Sequence, residues 1–62
     1  MKALSSFEDI YRHVEDGEKV IWKNPSYEVK KSTGGFIICH IGGSVVGLYE
    51  PDYSPTDFYI VQ

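Results

Sequence analysis

Hydrophobic positions follow two different periods along this chain. Leu4, Phe7, Ile10, Tyr11 and Val14 recur at spacings of three and four, which places them on one stripe of a helix. The stripe predicts a helix over residues 5–16. Ser5 with Glu8, or Ser6 with Asp9, supplies a capping box at its start. Gly17 stands where a left-handed cap is expected. Glu8 and Arg12 are four apart, as are Arg12 and Asp16, so ion pairs are expected on the outer face.

Beyond Gly17 the period becomes two. Strands are predicted over 19–23, 27–31, 35–41, 44–49 and 57–61. In the second of these, Tyr27 and Val29 alternate with Glu28 and Lys30, the mark of a strand with one wet face. Asn24-Pro25-Ser26, Ser32-Thr33-Gly34 and Gly42-Gly43 signal turns, the last a tight hairpin. Residues 50–56, with Pro51 and Pro55, form the one long loop. The third strand breaks the alternation. Phe36, Ile38 and His40 point one way, and Ile37, Cys39 and Ile41 the other. It is apolar on both sides, so both sides need cover.

Short connections favour antiparallel neighbours. The expected fold is α+β: a single domain over 1–62, with one N-terminal helix followed by a five-stranded antiparallel meander. The same meander curled into a small barrel is the variant, and its element order matches that of Sm-like barrels. A chain of 62 residues buries only about 60% of its unfolded surface, so its core is marginal. Cys39 is the only cysteine, which rules out an internal disulfide and a cysteine-rich metal site. Self-association as a homodimer, or binding to another protein, is therefore an option for added stability.

Charge and composition narrow the function. A net charge of −3 with scattered lysines disfavours binding to phosphate backbones. No apolar run reaches the roughly 18 residues of a transmembrane helix, and the polar N-terminus is not a secretory signal. With its free cysteine, the chain is expected in a reducing cytoplasm, away from membranes. Cys39-His40 resembles a catalytic dyad in sequence only, since strand neighbours point to opposite faces. His13 and His40 lack ligand spacing, and the paired glycines lack the strand-to-helix context of a phosphate loop. No enzyme activity, metal or cofactor is expected.

What remains is contact chemistry. Glu8, Asp9, Glu15, Asp16 and Glu18 put five acids in eleven residues, with Arg12 among them. They read first as a solvated helix face, and beside that as an acidic docking face for a basic partner. Five tyrosines exceed what so small a core can hold, and tyrosine is enriched at interfaces. Tyr49, Tyr53 and Tyr59 are the expected aromatic contacts, though Tyr53, on a proline-stiffened loop, equally suits folding back over the exposed sheet face. Two alternatives stand beside this reading. One is a single-stranded nucleic-acid binder that stacks bases on Trp22, Tyr27 and Phe36, with Lys23, Lys30 and Lys31 nearby. The other is a structural homo-oligomer.

The segment Val20-Ile21-Trp22-Lys23-Asn24, then Tyr27-Glu28-Val29, Ile38-Cys39, Gly47-Leu48 and Asp57-Phe58-Tyr59, resembles a pattern in short orphan proteins. These are carried by bacteriophages, prophages and plasmids of Gram-negative bacteria. The likeness spans about residues 18–60, and the loop at 51–56 departs from it. The resemblance implies a context and no catalytic residues. It points to a small inhibitor or modulator of a host protein, including host defence systems such as CRISPR effectors.

Overall fold

The computed structural model describes residues 1–61. In chain order the elements are β1 (Lys2–Ala3), α1 (Phe7–Glu15), β2 (Val20–Trp22), β3 (Asn24–Ser32), β4 (Gly35–His40), β5 (Val45–Gly47) and β6 (Phe58–Ile60). Two short 3-10 turns, Glu50–Asp52 and Pro55–Asp57, fill the loop between β5 and β6. The strands form one antiparallel sheet in the order β1-β6-β2-β3-β4-β5.

The helix is fixed at both ends. At the N-cap, Ser6 Oγ accepts the Asp9 N–H at 3.1 Å, so the second of the two capping frames is the one used. At the other end Gly17 takes φ 84°. Its N–H reaches the Val14 carbonyl and the Glu18 N–H reaches that of His13, the paired bonds of a Schellman cap. The same two residues meet through their side chains, His13 Nδ1 lying 2.5 Å from Glu18 Oε2.

The sheet corrects the expected meander in four places. It has six strands, because Lys2–Ala3 pairs with β6, and a two-residue strand carries no readable period. It is an open sheet, not a barrel. The last strand does not follow β5 but returns beside β2, where Phe58 pairs with Trp22 and Ile60 with Val20. Finally, the chain reverses between β2 and β3 at Lys23, in the left-handed region at φ 65°, so Asn24, Pro25 and Ser26 begin a strand. The Ser26 N–H then bonds Asn24 Oδ1.

The β4–β5 connection also differs. His40 N–H bonds the Ser44 carbonyl, which closes a three-residue loop of Ile41, Gly42 and Gly43, with Gly43 at φ 104°. Ile41 thus belongs to a turn, where it is 80% exposed, and not to a strand.

The core lies between the sheet and α1. Leu4, Ile10, Val20, Val29, Ile38, Phe58 and Ile60 are buried there, and Phe7, Tyr11, Val14, Trp22, Tyr27, Phe36, Leu48 and Tyr53 pack around them. So the Phe36–Ile38–His40 side of β4 is the one under the helix. The other sheet face carries a row that crosses all six strands: Ala3, Tyr59, Ile21, Glu28, Cys39 and Val45. Ile21 is fully buried in this row, although it stands apart from the main core. Tyr59 and Glu28 flank it, and a bulge between Ile21 and Trp22 sharpens the local twist.

Candidate interaction surface

The outer face of α1 carries most of the expected contact residues. Ile10 is buried, while Phe7 and Val14 pack against the core, so Glu8, Arg12, Glu15 and Asp16 turn toward solvent and are exposed. Asp9 is half-buried on the flank that His13 shares. The ion pairs differ from those expected. Arg12 pairs with Asp9, three residues back, at 2.7 Å, and Glu15 with Lys31 of β3 at 2.6 Å. Both pairs are exposed and each contributes about 0–1 kcal/mol. Glu8 and Asp16 have no ion-pair partner among the described residues.

The opposite flank of α1 is tied to the loop. Tyr11 stacks on Phe36, with ring centres 4.2 Å apart and planes 14° from parallel. Its hydroxyl donates to Glu50 Oε2 at 2.6 Å. Burial, then the hydrogen bond to Glu50 and its negative charge, push the Tyr11 phenol up to about 12. The bond joins residues 39 positions apart, so one side chain holds the first 3-10 turn to the helix.

The three tyrosines proposed as contacts do not come together. Tyr49, at 64% exposure, stands free at the end of the β5 segment. Tyr53 folds back instead. Its ring meets Trp22 edge-on at 5.4 Å and Phe58 at 6.2 Å, so it closes the core from the loop side. Tyr59 is half-buried on the other sheet face, between Ala3 and Ile21. Tyr53 and Tyr59 thus serve packing first.

Cys39 and His40 part as the alternation requires. Cys39 is half-buried, not fully covered, and lies opposite Glu28 and Val45. On the helix face, His40 packs beside Tyr27, ring centres 4.7 Å apart, and its Nδ1 accepts the Gly42 N–H at 3.0 Å. A neutral His40 ring then carries its proton on Nε2. The thiol and imidazole share no site. Among the described residues no group of three or more His, Cys, Asp or Glu side chains is placed to hold a metal.

Two shallow clefts flank the helix, of about 300 Å³ and 280 Å³. The first lies between Gly17–Glu18 and Glu28–Lys31, the second between Lys2–Ser5 and the Asp9, Arg12 and His13 side of α1. Their charged groups are largely spent on one another: Lys30 on Glu28, Arg12 on Asp9 and His13 on Glu18. Such clefts offer little unsatisfied chemistry to a ligand.

One surface was not anticipated as a site. Ile41, Val45, Val46 and Tyr49 are all more than half exposed or nearly so, and they lie together along the β5 edge. The signal was present in the sequence. No Lys, Arg, Asp or Glu occurs anywhere from Phe36 to Tyr49. Comparisons with protein-family models, curated proteins and solved structures give no match to this chain.

Proposed function

We propose that this chain is a small non-enzymatic protein-binding module that docks through the outer face of α1 onto a basic surface of a host protein. The observation that supports it is the charge of that face. Four acids, Glu8, Asp9, Glu15 and Asp16, meet two cations: Arg12 pairs with Asp9 and Lys31 with Glu15, while Glu8 and Asp16 are exposed without an ion-pair partner among the described residues. Unpaired surface acids steer a basic partner into register. The resemblance to short proteins of phages and plasmids makes the module an inhibitor or modulator, with host defence effectors of the CRISPR kind as one target class. Blocking a basic groove requires surface complementarity and no catalytic groups.

Geometry favours this over single-strand binding. Stacking needs free ring faces. Trp22 is instead edge-on to Tyr27 at 5.0 Å and carries Lys23 Nζ 4.9 Å from its ring centre. Phe36 is covered by Tyr11 and approached by Lys31 Nζ at 5.8 Å. The rings proposed as platforms are engaged within the fold.

The test is capture from a Gram-negative bacterial lysate on the immobilised chain, repeated with Glu8→Lys/Asp16→Lys. The double reversal is expected to weaken retention at least about 10-fold and to remove its salt dependence. Retention that ignores both the reversal and the salt rejects the helix face as the docking surface.

A further inference from the structure

We infer that the β5 edge is a homodimer interface, at which a second copy of this chain adds its own β5 antiparallel and continues the sheet. This goes beyond the docking reading and uses different residues.

The backbone supplies the first part of the argument. His40 N–H bonds the Ser44 carbonyl and Leu48 N–H bonds that of Phe36, so Ser44, Val46 and Leu48 direct their main-chain groups at β4. The intervening Val45 and Gly47 direct theirs outward, along the free edge of the sheet. A twofold axis through Val46 sets Val45 opposite the second copy's Gly47. Each such pair then exchanges both of its N–H to carbonyl bonds, and Val46 faces its own symmetry mate as the non-hydrogen-bonded pair.

The side chains are self-complementary in the same register. Reading outward from Val46, each bulky residue meets a small one: Val45 meets Gly47, Leu48 meets Ser44, and Tyr49 meets Gly43. Nothing lies within 4 Å of where a Cβ on Gly43 or Gly47 would sit, so the space is open for the mate's Tyr49 and Val45. Val45 from the second copy lies over the Gly47 gap, beside Ile37 in the same row. Tyr49 lies across the glycine turn next to Ile41.

Charge and area agree. Exposed edges are normally guarded by charge or proline, and this one has neither between Ile41 and Tyr49. The opposite edge, β1, is two residues long and carries Lys2. Two chains of net charge −3 repel, yet the β5 edge itself carries none of that charge. The exposed surface of Ile41 (80% exposed), Val45 (56%), Val46 (50%) and Tyr49 (64%) on both copies sums to at most about 1,000 Å², the floor for a specific interface.

Sedimentation equilibrium from micromolar to millimolar concentration is expected to show twice the chain mass. Val46→Lys sets two ammonium groups on the axis and is expected to weaken self-association at least about 100-fold with an unchanged circular dichroism spectrum. A second variant fixes the register. In a Cys39→Ser background, Val46→Cys should cross-link to its mate under oxidised glutathione, because non-hydrogen-bonded partners lie about 4.5 Å apart at Cα, inside disulfide range. Val61→Cys, exposed elsewhere, should not. A monomer at about 1 mM, a dimer that survives Val46→Lys, or equal cross-linking at both positions overturns the inference. So does an edge that pairs only with a strand of another protein. Glu8→Lys/Asp16→Lys is expected to leave the dimer intact, so failure here and failure of helix-face docking are read separately.

Discussion

The two sides of β4 are equally apolar in sequence and have opposite fates in the fold. Phe36 and Ile38 lie under α1, with Tyr11 stacked on the first and the core closed around the second. Ile37 and Cys39, one residue over, stay half-exposed on a face with no helix. A run without alternation therefore records only that neither side is built for water. It does not record what provides the cover. One helix of nine residues, with Tyr53 closing the loop side, covers one face of this sheet as far as β4. The other face relies on the sheet's own twist at Ile21, and toward β5 it runs into a bare edge.

That contrast predicts a steep difference between neighbouring substitutions. Ile38→Ala removes a side chain with 1% exposure from the main core and is expected to destabilise by about 2–5 kcal/mol. Ile37→Ala should cost about 1 kcal/mol or less, since its site is partly open to solvent and leaves no closed cavity. Urea unfolding of both variants in dilute solution is the check, with dilution keeping any dimer dissociated. Equal losses break the comparison, because they mean that the second face is covered as well as the first. Ile21→Ala sharpens it from the other direction. Ile21 belongs to the face without a helix yet is fully buried, so a loss of about 2–4 kcal/mol is expected. A loss near that of Ile37→Ala means that the twist around the bulge does not close a core of its own.

How much of this was legible depends on the range of each signal. The helix and its Gly17 stop were readable, and its cap narrowed to Ser5 or Ser6, because the partners lie within five residues. The β3–β4 and β4–β5 hairpins were readable from period and glycine. The strand-return beside β2 was not, because Phe58 and Ile60 carry the same alternation whichever edge they join. Nor was the reversal at Lys23, since a lysine at φ 65° has no compositional mark and the nearby Asn-Pro draws the turn to itself. Among the residues proposed to make contacts, the outward placing of the acidic helix positions followed from helical period alone. Tyr53 could not be placed, because a loop aromatic packs inward or stands out according to whether Trp22 and Phe58 leave it a slot. The β5 edge is not legible in the sequence for a related reason. Its apolar residues match a buried strand, and only the sheet order shows that β5 has one neighbour.

The smallest expected effect tests what holds the covered face covered. Tyr11→Phe keeps the stack on Phe36 and removes only the hydrogen bond to Glu50, so near neutral pH it should cost about 1 kcal/mol. Its distinguishing mark is at high pH. The folded chain holds the Tyr11 proton more tightly than the unfolded one, up to about 12 against a phenol's usual value near 10. A raised value means that the contribution is complete below about pH 10 and is lost as pH climbs through about 12. Ionising Tyr11 also sets a phenolate against the Glu50 carboxylate and opens the clamp on the first 3-10 turn. Thermal unfolding of the parent chain should therefore fall more steeply than that of Tyr11→Phe across this window, and the parent's neutral-pH advantage should be gone before its upper end. Parallel curves would show that the helix stays on its face through apolar packing alone, with the loop contact carrying no share of the difference between the two sides of β4.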